Sequence, residues 1–145
     1  MPSFECSVEI EAPVEAVFAF HEHPDALRRL SPPFPPLKVL RRSGGLEAGA
    51  EVDLEIGPLT WQARHTAYER NRLFVDEQVR GPFRRWVHQH VFEALGPARS
   101  RLTDRVVFEL PGGRLVNRVA APAVRIALRQ MFAHRHAVTK HACEL

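Results

Sequence analysis

His88 and His90 are the side chains of this sequence best placed to do chemistry. They stand two apart in Trp86-Val87-His88-Gln89-His90-Val91-Phe92, and a β-strand sends successive side chains to opposite faces. Trp86, His88, His90 and Phe92 therefore share one face, while Val87, Gln89, Val91 and Glu93 share the other. Imidazoles gain and lose protons near neutral pH, so such a pair can hydrogen-bond a polar group, move a proton or ligate a metal. Two imidazoles framed by two large aromatics suit the wall of a small-molecule pocket better than a dry core.

Neighbouring strands supply partners. A two-residue loop at Arg70-Asn71 sets Glu69 against Arg72, Ala67 against Phe74, His65 against Asp76 and Ala63 against Gln78. It also sets Tyr68 against Leu73 and Arg64 against Glu77 on the other face. A three-residue loop at Gly81-Pro82-Phe83 then brings Asp76 opposite His88 and Gln78 opposite Trp86. In the last strand Leu102, Asp104, Val106, Phe108 and Leu110 share the apolar face, which carries Asp104 to within a residue or two of His90. The expected inner wall holds His65, Asp76, Gln78, His88, His90 and Asp104, surrounded by Trp61, Phe74, Trp86 and Phe92. A one-residue slip would turn a strand inside out, so the loops decide the wall.

Three readings fit this cluster. It can be a satisfied hydrogen-bond ladder that serves the fold. It can orient the polar end of a mostly apolar ligand. It can do chemistry, through a His–Asp acid–base pair or a metal held by two histidines and a carboxylate. Metal is the weaker form of the last reading, and no metal or cofactor is expected. No His-x-x-x-His pair or Cys-x-x-Cys motif is present. His134 and His136, two apart on a helix, point in different directions, and His21 and His23 flank a helix junction where capping or exposure is the ordinary role. Gly44-Gly45 and Gly112-Gly113 read as hairpin turns rather than phosphate loops, and no Ser- or Cys-centred nucleophile signature occurs.

These residues need a scaffold. Phe4, Cys6, Val8 and Ile10 alternate with polar residues as a half-buried strand. Pro13 opens a short helix bearing Val17, Phe18 and Phe20, and a second covers about Pro24 to Leu30. Ser31-Pro32-Pro33-Phe34-Pro35-Pro36 is a stiff extended connector. Strands follow near 37–42, 50–57, 60–69, 72–80, 84–94 and 102–110. A long helix runs from about Pro122 to His136, its start left open, with Val124, Ala127, Leu128, Met131 and Phe132 as its apolar stripe. The expected fold is α+β: a curved seven-stranded antiparallel sheet wrapped around the C-terminal helix, with two short helices after the first strand and an internal cavity. Residues 1–145 form one domain.

Composition narrows the classes. A 145-residue chain with 45% hydrophobic and 26% charged residues reads as an ordinary soluble domain. No apolar run approaches the roughly 20 residues that span a bilayer, and no signal-peptide core is seen. Cys6 and Cys143 form no close pair, which points to a reducing, cytoplasmic setting, with Cys6 as a buried inert thiol. The net charge of +3 and pI near 9.4 come from scattered arginines that often alternate with glutamates. Such scatter argues against a nucleic-acid partner. Transient membrane contact and oligomeric state stay open.

The motifs, in order, resemble the START-like, or SRPBCC, helix-grip superfamily. They are Ala12-Pro13-x-Glu15-x-Val17-Phe18, Leu30-Ser31-Pro32-Pro33, Phe74-x-Asp76-x-Gln78, Gly81-Pro82-Phe83-x-x-Trp86-x-His88-x-His90-x-Phe92, Thr103-Asp104-Arg105-Val106 and Met131-Phe132-x-x-Arg135. That superfamily includes lipid-transfer domains, polyketide cyclases/dehydrases and coenzyme Q-binding proteins. Some members of the most similar bacterial branch are fused to a nucleotide-sugar-epimerase-like domain, which is expected to be absent here. The resemblance implies a ligand cavity more than one reaction.

The expected function is binding, with transport or sequestration as its purpose, of a lipid, isoprenoid, quinone or polyketide between sheet and terminal helix. Trp61, Phe74, Trp86, Phe92, Val106, Leu128, Met131 and Phe132 would make apolar contact. His65, Asp76, Gln78, His88, His90 and Asp104 would orient one polar end. Phe34 and Phe83 would guard the entrance or plug the ends of the core. Two rivals stay open. One is a cyclase or dehydratase using His88 or His90 with Asp76 or Asp104, and the other a partner-binding module whose cavity is too small for a ligand.

Overall fold

The computed structural model describes residues 1–33 and 35–144; the entrance expectation for Phe34 lies outside them. The elements are β1 (Ser3–Ile10), α1 (Val14–Glu22), α2 (Ala26–Leu30), β2 (Leu37–Ser43), β3 (Glu51–Ile56), β4 (Leu59–Glu69), β5 (Leu73–Arg80), β6 (Arg85–Gly96), β7 (Arg99–Glu109) and α3 (Gly113–Cys143). All seven strands join one antiparallel sheet in the order β1-β7-β6-β5-β4-β3-β2. Strands β2 to β7 are successive hairpins. The two short helices carry the chain from β1 at one edge to β2 at the other, and α3 lies against the sheet. This is the α+β helix-grip fold expected from the alternation.

Local chemistry explains the connections. Pro13 caps α1, its carbonyl accepting the Ala16 and Val17 N–H groups. Val14, Val17, Phe18 and His21 then recur at helical spacing and are buried. The C-terminal helix starts nine residues before Pro122, at Gly113, and Pro122 lies inside it. Gly112-Gly113 is thus no hairpin: Gly112 takes a left-handed φ of 110° as the residue before the helix, a conformation that glycine adopts without strain. Asn117 locks this junction. Its Oδ1 accepts from the Leu110 N–H at 2.6 Å, and its Nδ2 donates to the carbonyls of Leu110 at 2.9 Å and Gly113 at 2.8 Å. Asn117→Ala is expected to cost about 2 kcal/mol, read as a lower denaturation midpoint with unchanged slope. A loss within error would show that α3 seats itself by packing alone.

The strand register is as expected at the cluster and different around it. His65 faces Asp76, Ala63 faces Gln78 and Arg64 faces Glu77, but Ala67 faces Val75, Tyr68 faces Phe74 and Glu69 faces Leu73. The β4–β5 loop has three residues, Arg70–Arg72, with Asn71 at a left-handed φ of 64°, the geometry of a turn followed by a bulge. A second irregularity between His65 and Ala67 takes up the extra residue. Two departures cancel, and the pairing at His65 is preserved. Further irregularities near Leu40, Val79 and Leu95 bend strands locally, as bulges do.

Two apolar clusters form the core. One gathers Ile10, Val14, Val17, Phe18, Phe74, Phe92 and Leu102 under α1. The other gathers Phe4, Trp86, Val106, Phe108, Ala121, Leu128 and Phe132 between sheet and α3. Along β6 the chain passes from Trp86 in the second cluster, through His88 and His90, to Phe92 in the first. Along β7 it passes from Leu102, through Asp104, to Val106. A polar band therefore crosses the interior between two dry cores.

Candidate functional site

Pairing of β5, β6 and β7 assembles the band. Asp76 lies opposite His88, and His90 opposite Asp104. The His88 and His90 rings stack at 3.7 Å, and Phe74 stacks on the other face of His90 at 3.8 Å. Asp104 Oδ1 accepts a hydrogen bond from His88 Nε2 at 2.7 Å and lies 3.3 Å from His90 Nδ1. Asp76 Oδ2 accepts from His90 Nε2 at 2.8 Å and lies 3.8 Å from His88 Nδ1, beyond hydrogen-bond reach. Asp104 Oδ2 accepts from His136 Nε2 at 2.7 Å, and Cys6 Sγ lies 3.7 Å from His136 Nδ1. Burial, then the nearby Asp104 charge, raises the Cys6 pKa, so the thiol keeps the proton it offers to His136.

The network assigns the protons. Burial opposes charge on His90, but hydrogen bonds to Asp104 and Asp76 outweigh it and raise the pKa. Burial and the neighbouring charge of His90 lower the pKa of His88, against its bond to Asp104. Two stacked imidazoles cannot both hold a positive charge cheaply, so one proton belongs to the pair. The opposite shifts favour His90 as its holder, since both of its nitrogens face carboxylates. His88 Nε2 is engaged with Asp104, and its Nδ1 has no partner within hydrogen-bond reach. Burial would raise Asp76, yet His90, His88 and His65 bring it down to about 2. Asp104 is held well below the usual carboxylate range in the same way, by His136, His88 and His90.

Beside this ladder, between sheet and α3, lies a cavity of about 320 Å³. Ten expected residues line it: Trp61, His65, Phe74, Asp76, Phe83, Trp86, His88, His90, Leu128 and Met131. Five others sit elsewhere. Phe92 packs edge-on to Phe18 at 4.9 Å in the core under α1, and Val106 and Phe132 are wholly buried in the second core. Asp104 lies behind His88 and His136 rather than on the wall. Gln78 is occupied with the backbone: its amide donates to the Phe83 carbonyl at 2.6 Å and accepts from the Phe83 N–H at 3.1 Å. It holds the β5–β6 loop, and a Cβ at Gly81 would overlap its side chain. Phe83, so held, packs against Trp61 at 5.8 Å and Trp86 at 4.9 Å. Ala127, expected on the apolar stripe of α3, is exposed.

Two residues were given the wrong surroundings, and a third, Arg135, was given none. His21 is neither a cap nor exposed. It is buried, lines the cavity, and donates from Nδ1 to the Val17 carbonyl at 2.8 Å. Burial pushes its pKa down to about 4, against that hydrogen bond. His136 completes the ladder, and Arg135 lines the cavity. The signal for all three was spacing. His21 extends the Val14, Val17, Phe18 stripe, and His136 extends Leu128 and Phe132 in steps of four. Arg135 follows Leu128 and Met131 along the same face.

Asp76, His88 and His90 could also hold a divalent ion, since one ligand atom from each lies within 4.8 Å of the others. Asp104 would then support both imidazoles from behind, the arrangement that orients metal-bound histidines. The direct His90–Asp76 hydrogen bond occupies that position here, so an ion would have to displace it.

A family model for polyketide cyclase/dehydrase and lipid transport proteins matches residues 10–134. Among solved structures, the chain is similar to a START superfamily protein from Mycobacterium smegmatis, with 17% identity, 99% of this chain and 98% of that one covered, and a TM-score of 0.71. It is similar to the Zhui aromatase/cyclase from a Streptomyces species at 13% identity, covering 98% and 93%, with a TM-score of 0.74. These two likenesses speak for the fold. A nucleoside-diphosphate sugar epimerase from Corynebacterium glutamicum matches at 26% identity and a TM-score of 0.75, over 94% of this chain and 28% of that protein. No curated protein gives a match.

Proposed function

This chain belongs to the polyketide cyclase/dehydrase and lipid transport family, and on that premise we propose that it binds a small hydrophobic ligand with one polar end. The observation that carries the reading is the cavity itself. Trp61, Trp86, Leu128 and Met131 make its wall apolar, while His88, His90 and Asp76 gather at one part of it. Its volume of about 320 Å³ sits at the lower end of small-molecule pockets, roughly 300–1,000 Å³. That supports ligand binding over a partner module with no room inside. Among the described residues no helix is long and apolar enough to cross a membrane.

Native mass spectrometry of the freshly purified protein is expected to show a co-purifying small molecule. His88→Phe is expected to weaken rebinding of that molecule at least tenfold, the loss of one charge-assisted or neutral hydrogen bond in a buried site. Unchanged affinity would reject the head-group role of the ladder.

The opposite pKa shifts on His88 and His90 favour one further reading, a cyclase or dehydratase. Groups driven apart in this way divide into base and acid. His88 Nδ1 would take a proton from a ketone-rich chain while His90 Nε2, parting from Asp76, delivers one to a carbonyl oxygen, with Asp104 steadying both rings. His90→Asn should then abolish turnover of a poly-β-ketone and leave binding in place. Binding without turnover by the native protein sinks this reading alone.

A further inference from the structure

Arg135 is a cation facing an apolar cavity, and among the described residues its side chain has no hydrogen-bond acceptor to hold. It stands on α3 between Met131 and Thr139, lines the cavity with Leu128 and Met131, and its guanidinium carbon lies 5.7 Å from the Phe132 ring centroid. Its Nε is sealed from solvent and has no hydrogen-bond partner. The two carboxylates of the band are engaged with His88, His90 and His136 instead. Nε is thus withdrawn from water without an acceptor, which is costly for a charged group, while the side chain as a whole is only half-buried and lines the cavity. A second orphan shares the cavity: His65 Nδ1 is buried with no partner, on a ring that stacks over Phe74 at 5.8 Å. Among the described residues the other buried side-chain atoms without partners, Asp53 Oδ1 and Ser100 Oγ, belong to residues away from the cavity wall.

We infer that the polar end of the ligand is an acid, a carboxylate held by Arg135 with the His65 imidazole beside it. This rests on the hydrophobic-ligand reading and narrows its substrate class to amphiphilic acids, aliphatic or aromatic. The guanidinium fork matches a carboxylate in shape as well as charge. The site does not repel such a head. Asp104 is screened behind His88 and His136, and Asp76, though on the wall, is hydrogen-bonded to His90. An acid bound here would give Arg135 its missing acceptors and leave its tail against Leu128, Met131 and the two tryptophans.

The test compares matched acids and alcohols. Trp61 and Trp86 both line the cavity and are the two tryptophans of the chain, so their fluorescence reports occupancy by dodecanoate or dodecanol. Calorimetry serves the aromatic pair, 2-naphthoate and 2-naphthol. At pH 7.5 the acid of a pair is expected to bind the native protein at least tenfold more tightly than its alcohol. Arg135→Met, which keeps the apolar stem, should remove that preference and leave alcohol binding within twofold. Alcohols that bind the native protein as tightly as acids overturn the inference, whether or not the variant folds, and leave the hydrophobic-ligand reading standing. If no acid or alcohol binds while a neutral lipid or quinone co-purifies, the inference again falls alone. If no apolar molecule binds at all, both fall together.

Discussion

Asp104→Ala is expected to lower the unfolding free energy by about 3–5 kcal/mol, the cost of breaking a buried charged network by removing one partner. Asp104 is 4% exposed and holds imidazoles from two elements. His88 and His136 both donate to it at 2.7 Å, and His90 lies at 3.3 Å. Truncation strips an acceptor from His88 and His136, leaves His90 with Asp76 alone, and opens a void between two packed cores. Asp104→Asn should fare little better. Its amide has one oxygen for several donors and points N–H groups at others. Urea denaturation followed by circular dichroism measures the change. A loss below about 1 kcal/mol would mean that the imidazoles find other acceptors, and the ladder would not hold α3 to the sheet.

Acid is expected to weaken the fold in two stages, and His21 sets the first. Its pKa falls from 6.5 to about 4 in the folded protein, so the unfolded chain takes the proton first. The His21 contribution is therefore complete above pH 6.5 and declines as pH falls from 6.5 to about 4. The loss from this group is about 3 kcal/mol, at 1.36 kcal/mol per unit. His88, also lowered, acts in the same direction. The second stage belongs to Asp76, lowered from 3.8 to about 2, and to Asp104, also held well below 3.8. Their contribution is present above pH 3.8 and lost as pH falls below it. His90 has the opposite sign. Its raised pKa contributes stability below pH 6.5 that disappears as pH climbs through the raised value. His21→Phe should flatten the first stage and leave the second in place. Thermal melts of both proteins from pH 8 to pH 3 decide the matter: an identical slope between 6.5 and 4 would remove His21 from the account.

Much of the site was legible because strands repeat every two residues. Trp86, His88, His90 and Phe92 had to share a face whatever lay around them, and all four are buried. The partner assignments depended on loop lengths, and there the expected two-residue turn at Arg70-Asn71 was one residue short. The pairing of His65 with Asp76 survived because an irregularity after His65 absorbed the difference. Strand faces follow from local stereochemistry, whereas bulges answer to the packing of the whole sheet.

Helix α3 shows the limit more sharply. Judged by their separation, His134 and His136 looked like a divergent pair of no consequence. Judged by the stripe that begins at Leu128, His136 lies four residues beyond Phe132 and faces the sheet. The long helix could be read, but not the depth to which its end is buried.

The amino-acid order by itself determined the periodicities, and through them the seven strands, the two short helices, the gripping helix and an inner face bearing histidine and aspartate. Tertiary structure alone decided which acids meet which imidazoles, that Gln78 holds a loop away from the cavity wall, and that Arg135 and His21 reach the cavity. The reason is range: backbone alternation acts between adjacent residues, while pairing His136 with Asp104 across 32 positions requires that sheet and helix first be brought together.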